Sequence, residues 1–282
     1  MPDVDVVVAR RAAVLGKPVG HSLSPVIHNA GYRAAGLTGW SYTAIECAED
    51  ELPGLVAGLG PEWAGLSLTM PLKEAALSVA AVVAPVAAVV GAANTLVRRP
   101  DGTWYADNTD VEGMVRVLTD VGVPAGASIT VLGAGGTARA ALAAAARLGA
   151  DQVTVVARRA AAVADLRPVA EKLDLPLTGA AWADAAGHLG VDVVISTVPK
   201  GVADPLAVAD WGSGTVLFDA LYDPWPTPLA AAAAAAGCRV ISGLDLLLAQ
   251  AVGQFELFTG VPAPVSAMST ALRQERALTS GS

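Results

Sequence analysis

Cysteine is nearly missing from this chain, with only Cys47 and Cys238 among 282 residues. Two isolated cysteines build neither a disulfide framework nor a metal-ligand spacing in a chain of this length, which points to a reducing compartment, the cytoplasm. Positive charge is scarce as well: 18 Lys and Arg stand against 26 Asp and Glu, for a net charge of −8. The adjacent basic pairs are Arg10-Arg11, Arg98-Arg99 and Arg158-Arg159, too few and too scattered for a nucleic-acid or anionic-membrane partner. Histidine occurs three times, as His21, His28 and His188. None has a neighbour at metal-ligand spacing, so no metal is expected, and the three read as capping or surface residues.

A long uniform apolar run is also lacking, although 54% of residues are hydrophobic. The charge-free stretch from Ala75 to Val97 is interrupted by Ser78, Pro85, Gly91 and Asn94. It therefore reads as a buried Ala-rich helical segment and not as a membrane span. The opening "MPDVDVVVARR" puts its acids first and its arginines last, the reverse of a secretory leader.

What is present is an alternation of short Val/Leu/Ile-rich runs with longer Ala/Leu-rich segments, the mark of strands joined by crossover helices. The class is α/β with mainly parallel sheets, and the length fits two domains, or one interrupted by the other. In the first half "AAVLG" (12–16), "YTAI" (42–45), "GLSLT" (65–69) and "NTLVRR" (94–99) read as strands. The turn signal Pro100-Asp101-Gly102 then predicts a hairpin with "TWYA". A second doubly wound unit starts near residue 111, with strands "SITVL", "QVTVVA", "VDVVIST" and "TVLFDA". From Gly243 onward the pattern predicts two helices, to about Phe258 and from about Pro264, with no further strand.

The run "TVLGAGGTARAALAAAARLGA" places Gly133-Ala134-Gly135-Gly136-Thr137-Ala138 between a strand and a long helix. That is the G-x-G-x-x-A dinucleotide fingerprint in its required context. Gly133 permits the tight turn, Gly135 lets backbone amides approach a pyrophosphate, and Ala138 allows close helix packing; the anion sits at the helix N-terminus. An NAD site offers an acid at the end of the next strand, whereas here the strand ends Ala157-Arg158-Arg159. Guanidinium groups there suit a 2′-phosphate, so NADP is expected over NAD. A solvated helix start is the plainer reading of the two arginines, although the helix dipole disfavours cations there.

In the first domain "GHSLSP" places Ser22 and Ser24 just before Pro25. Ser24 as a helix N-cap and the serine pair as a carboxylate site are both open readings. "DNTD" (Asp107 to Asp110) falls between the hairpin and the next helix, and Asn94 stands just before a strand; both could be capping or turn residues. These signals all lie at element ends facing an expected interdomain cleft. With no histidine base in view, Lys73 in "LSLTMPLK", placed at a helix start, becomes the candidate proton donor, although taken alone it reads better as a solvated lysine in a first helical turn.

Seven motifs in order, "GHSLSP", "LSLTMPLK", "GAANTL", "DNTD", "GAGGTAR", "LYDPWPTPL" and "GLDLLLAQA", spread from residue 20 to 251. In these the chain resembles the shikimate dehydrogenase family, within the wider shikimate/quinate dehydrogenases. The resemblance implies a substrate-binding and catalytic domain at 1–110, completed by the C-terminal helices at 244–282, and a Rossmann-type NADP domain at 111–243. It implies reversible reduction of 3-dehydroshikimate to shikimate by NADPH, on the way to chorismate and the aromatic amino acids. Lys73 and Asp110 fall at the family's catalytic pair, and Ser22 and Ser24 where the substrate carboxylate is held. Ser67, Thr69, Asn94, Tyr222 and Gln250 fall at further substrate contacts. The cofactor positions are Gly133 to Ala138, Arg158, Arg159, Thr197, Ala220 and Gly243, and the state implied is monomer or homodimer.

The chain departs from the pattern at Ser67, where the family usually has Asn, so a substrate hydroxyl contact is expected to be lost or bridged by water. It departs also at the cofactor loop, where Arg159 directly follows Arg158 and a second arginine further on is replaced by Ala162. Two other functions compete: catabolic oxidation of quinate and shikimate, and nucleotide sensing without turnover. The presence of both Lys73 and Asp110 speaks against the sensor.

Overall fold

The computed structural model describes residues 9–212 and 214–279. Residues 1–8, on which the leader reading falls, lie outside this range. The chain forms two compact units, one of residues 1–88, 92–109 and 250–282 and the other of 89–91 and 110–249.

The first unit contains β1 (Arg10–Gly16), α1 (Ser24–Ala34), β2 (Trp40–Glu46), α2 (Leu52–Ala57) and β3 (Trp63–Leu68). These are followed by α3 (Ala76–Val79), β4 (Val82–Val83), α4 (Pro85–Val90, which runs into the second unit), β5 (Thr95–Arg98) and β6 (Trp104–Asp107). Its sheet runs β2-β1-β3-β5-β6-β4. Pairing is parallel at β2/β1, β1/β3 and β4/β6 and antiparallel at β3/β5 and β5/β6. The β5/β6 pair is the hairpin at Asp101, whose carboxylate accepts from the Thr103 N–H and hydroxyl, with Gly102 at φ +83. β1 is buried on both faces beyond Arg11, as central parallel strands are. Leu15, Leu52, Leu66, Leu72 and Leu96 are fully or almost fully enclosed in its core.

The Ala75–Val97 run is not one helix. Ala80 is extended, the β-branched pair Val82-Val83 joins β6, Pro85 opens α4, and Gly91 at φ +70 ends it. Composition favours helix throughout, but a proline fits only a first turn and a left-handed glycine stops one.

The second unit begins within α5 (Thr109–Asp120) and continues through β7 (Ser128–Leu132), α6 (Gly136–Arg147), β8 (Gln152–Ala157), α7 (Ala160–Ala164) and α8 (Arg167–Lys172). It is completed by β9 (Leu177–Ala181), β10 (Val193–Ser196), β11 (Val216–Asp219), α9 (Pro228–Ala235) and β12 (Arg239–Ser242). Its sheet is parallel throughout in the order β12-β11-β10-β7-β8-β9. Counted from β7, that is the doubly wound order whose switch point lies between β7 and β10. The edge strands β9 and β12 escape the sequence pattern because one is Ala/Gly-rich and largely exposed and the other has four residues. α10 (Gly243–Thr259) starts in this unit and ends in the first, followed by α11 (Val265–Thr279). No helix among the described residues is long and apolar enough to cross a membrane.

Gly16 marks where β1 presses on the segment after β3: a Cβ there would stand 2.3 Å from Thr69 Cγ2 and 2.9 Å from the Met70 carbonyl oxygen. Gly16→Ala is expected to destabilise by about 1–3 kcal/mol. Gly20→Ala, with nothing within 4 Å, should leave the urea midpoint nearly unchanged. Equal midpoints for the two variants would refute the close approach.

Candidate active site

In the first unit, the segment after β3 is held by backbone bonds on both sides. Thr69 N–H donates to Leu15 O (2.9 Å), Lys17 N–H to Met70 O (3.0 Å), Leu72 N–H to Thr69 O (2.8 Å) and Ala93 N–H to Lys73 O (2.7 Å). Leu72 is fully buried as an anchor while Met70 and Pro71 are exposed. Lys73 is half-buried in this turn, and the expected helix start is displaced, since α3 opens only at Ala76. Proline after Met70 and the bond from Ala93 keep the segment in a turn for three residues longer.

Asn94, 2% exposed, gathers the neighbouring elements. Its carbonyl accepts from Leu68 N–H (2.7 Å) and from Gln254 Nε2 (3.1 Å), and its own N–H donates to Asp107 O (3.1 Å). Its side-chain Oδ1 accepts from the Thr95 hydroxyl (2.7 Å), Thr109 N–H (2.8 Å) and the Thr109 hydroxyl (3.1 Å). Its Nδ2 donates to Gln250 Oε1 at 3.4 Å. Ser67, 4% exposed, accepts from the Tyr42 hydroxyl (2.6 Å) and donates to Gln254 Oε1 (2.6 Å). These are buried neutral amides and hydroxyls, the chemistry that suits a small ligand carrying hydroxyl groups.

"DNTD" is buried at three of its four residues, Asn108, Thr109 and Asp110. Asn108 Nδ2 donates to Ala92 O (2.8 Å). Asp110 lies in the first turn of α5, where the helix dipole favours a carboxylate. Ser24 is not an N-cap: it is the first residue of α1, the cap position is Leu23, and no side chain caps the helix. Ser22 takes the local role, its hydroxyl accepting from Ser24 N–H at 3.3 Å. Proline supplies the helix start without a capping side chain.

His28 corrects the expectation of capping or surface histidines. It is fully buried and stacked on Tyr42, ring centroids 4.2 Å apart and planes 4° from parallel, with Phe255 and Phe258 nearby. Neither ring nitrogen has a hydrogen bond of good geometry. Burial pushes its pKa down to about 3, opposed only in part by the Gln254 amide. His21 is exposed and His188 half-buried.

In the second unit every predicted cofactor residue stands at the carboxyl end of a strand or just beyond. Gly133 follows β7 at φ +107, and a Cβ on it would lie 2.5 Å from Thr197 Oγ1, just after β10. Thr197 donates its hydroxyl to Leu132 O (2.9 Å), which ties the two strand ends at the switch point. Gly135 caps α6, exposed and with open space where a side chain would be, Ala134, Gly136 and Thr137 flank it half-buried, and Ala138 is fully buried. This is a cradle shaped for close backbone approach by a pyrophosphate. Arg158 and Arg159 are exposed at the end of β8, Arg159 just before α7. Ala220 follows β11, and Gly243 packs so tightly on it that a Cβ would fall 2.1 Å from its carbonyl oxygen.

Tyr222 sits half-buried in a loop closed by Asp219, whose carboxylate accepts from Leu221 N–H (3.2 Å) and the Thr227 hydroxyl (2.7 Å). Burial raises the Asp219 pKa, and the Thr227 bond opposes the rise. Asp219, Tyr42, Thr95, Thr109 and Gln254 were not singled out by sequence reasoning. Only Gln254 carried a signal, being one helical turn from Gln250 in an apolar helix. Among the described residues no cluster of three or more His, Cys, Asp or Glu is placed to hold a metal.

Residues 14–96 match the family model of the shikimate dehydrogenase substrate binding domain, and residues 243–273 that of the shikimate 5'-dehydrogenase C-terminal domain. A shikimate dehydrogenase (NADP(+)) of Moorella thermoacetica is 37% identical over 280 residues, covering 95% of this chain and 94% of that protein. The crystal structure of Mycobacterium tuberculosis shikimate dehydrogenase is 47% identical at a TM-score of 0.85, covering 94% of this chain and 99% of that one. Shikimate 5-dehydrogenase from Thermus thermophilus, solved with NADP(H) and shikimate, is 32% identical at a TM-score of 0.81 with the same coverage.

The enclosed His28 generates a stability prediction. Its pKa is lowered in the folded chain relative to about 6.5 unfolded, so the stability it contributes is complete above that value and is lost as pH falls toward about 3. Between these limits the loss approaches about 1.4 kcal/mol per pH unit from this residue. His28→Phe should therefore lose less stability between pH 7 and pH 4 than the parent in urea titrations. Parallel losses would show that His28 is protonated without cost.

Proposed function

Because the chain belongs to the shikimate dehydrogenase family, we propose that its first unit binds the substrate and carries the proton-transfer residue, and that its second unit binds the cofactor. The chain is an NADP-dependent oxidoreductase that interconverts 3-dehydroshikimate and shikimate, a step of aromatic amino acid biosynthesis. The observation that carries the residue-level reading is the bond from Ala93 N–H to Lys73 O. Through it the turn that holds Lys73 and the strand end that holds Asn94 are positioned together.

NADPH, when bound, supplies the hydride that reduces the C3 carbonyl, and NADP⁺ accepts it in the reverse direction. In our reading Lys73, as an ammonium, gives its proton to the C3 oxygen as negative charge develops there, and in reverse takes the hydroxyl proton. Asp110 stands at the position of the acid that the family pairs with this lysine. Ser22 and Ser24 offer hydroxyl donors to the substrate carboxylate, and Thr69, Asn94, Tyr222 and Gln250 read the ring hydroxyls and the carboxylate. A site built of amides and hydroxyls rejects analogues that lack those hydroxyls, since its own buried groups are then left unpaired.

The cradle at Gly133 to Ala138 holds the pyrophosphate, with Thr197, Ala220 and Gly243 along the same row of strand ends. Arg158 and Arg159 take the 2′-phosphate, a role that guanidinium geometry suits. Each chain carries both units, which supports action as a monomer or homodimer. Two free, buried cysteines support a cytoplasmic setting.

Two variants test these assignments by initial rates of nicotinamide reduction. Lys73→Ala should lower kcat with shikimate by about 10²–10⁴-fold, with little change in the KM for NADP⁺. Retention of most of the turnover would remove Lys73 from the chemistry. Arg158→Ala should raise the KM for NADP⁺ about tenfold or more, the worth of a charged hydrogen bond, and barely affect NAD⁺. Equal effects on both cofactors would separate this arginine from the 2′-phosphate.

A further inference from the structure

Every group in the buried network of the first unit has its hydrogen-bonding direction dictated by two backbone atoms that cannot change role. A carbonyl only accepts and an N–H only donates. The Asn94 carbonyl faces Gln254, so the Gln254 atom there must be Nε2, and its Oε1 must face Ser67. Ser67 has one hydroxyl hydrogen and gives it to that Oε1 at 2.6 Å, so the Tyr42 hydroxyl has to donate to Ser67. The same Nε2 donates to the Thr95 hydroxyl at 3.0 Å, which therefore turns its hydrogen to Asn94 Oδ1. Thr109 N–H confirms that this atom of Asn94 is the oxygen, which leaves Nδ2 toward Gln250.

We propose that Gln254 is a positioning residue for substrate recognition, and that Ser67 acts through Gln254 and not on the substrate. The proposal rests on the reading that Asn94 and Gln250 contact the substrate. Gln254 is 1% exposed and reaches both the backbone of Asn94 and the hydroxyl that orients its amide. Its removal takes one of two donors from the Asn94 carbonyl and frees the Thr95 hydroxyl to turn away from Oδ1, so that the Asn94 Oδ1 is held by Thr109. Its Nδ2 still faces Gln250 but is held less firmly for the substrate. Ser67 has its only hydrogen committed to Gln254, so in the folded chain it has none for a ligand. The smaller residue at this position thereby exchanges a direct contact for an anchor on α10. His28, Tyr42, Phe255 and Phe258 form the apolar floor that keeps water from competing for these bonds.

Steady-state kinetics with shikimate and NADP⁺ on the full chain test this through Gln254→Met, Ser67→Ala and the double variant. Gln254→Met keeps length and removes both the donor and the acceptor. Its KM for shikimate is expected to rise about fivefold to a hundredfold, the range for an orphaned buried hydrogen-bond partner, with the KM for NADP⁺ unchanged. Adding Ser67→Ala to Gln254→Met should raise the KM no further. A multiplicative effect in the double variant would place Ser67 on the substrate independently and overturn the proposal. So would a fall in Tm with an unchanged KM, which is the mark of a purely structural tie. If Gln254→Met does not fold, as judged by circular dichroism and loss of a cooperative urea transition, Tyr42→Phe with and without Ser67→Ala asks the same question. Non-additive KM changes support the relay, and multiplicative ones overturn it. Absence of turnover in the parent chain would refute the functional reading and the proposal together, whereas normal turnover with an insensitive Gln254 would refute the proposal alone.

Discussion

The triply accepted Oδ1 of Asn94 and the doubly accepted carbonyl of the same residue are the interactions on which the first unit's site depends. Through them β3, β5, the start of α5 and α10 share one buried residue. Leaving any one partner unmade in such a place costs about 1–3 kcal/mol, and the network contains no charge whose hydration would compete with folding. The result is a rigid polar floor made from neutral groups, with one lysine on the adjoining turn. In the second unit Asp110 is a buried carboxylate in the first turn of α5, an end of the helix where the dipole favours negative charge.

A different constraint shapes the second unit, namely lack of space. Gly133 against Thr197 and Gly243 against Ala220 leave no room for a side chain, and α6 packs on the sheet through alanines that are almost wholly buried. Close approach of strand ends is what exposes backbone N–H groups at the head of α6 to a phosphate. The arginines at the end of β8 then add the only guanidinium groups at that strand end, which suits the choice of NADP over NAD.

Much of this was legible in the sequence because it rests on local signals. Val-rich runs gave most of the strands, Pro100-Asp101-Gly102 gave the hairpin, and the glycine run gave the turn before α6 at its observed place. What escaped depends on partners distant in the chain. β9 and β12 are strands only because β8 and β11 offer them free edges. Lys73 is kept in a turn by Ala93, twenty residues on. His28 looks like a surface residue in α1 until Tyr42, Phe255 and Phe258 close over it. Gln254 was passed over beside Gln250 because a glutamine in an apolar helix announces burial but not its partner, 187 residues away in Ser67. Ser67 itself was noticed only as a departure from a family pattern, and its hydrogen bonds supply the physical reason a shorter side chain fits.

The central claim is a substrate and a cofactor: shikimate, oxidised with NADP⁺. Its most direct measurement is the initial rate of nicotinamide reduction by the purified parent chain with shikimate or quinate, each paired with NADP⁺ or NAD⁺. The highest kcat/KM is expected for shikimate with NADP⁺. An equal or higher value for quinate with NAD⁺ would contradict it, and no reduction with any pair would leave the chain a nucleotide-binding protein without this chemistry.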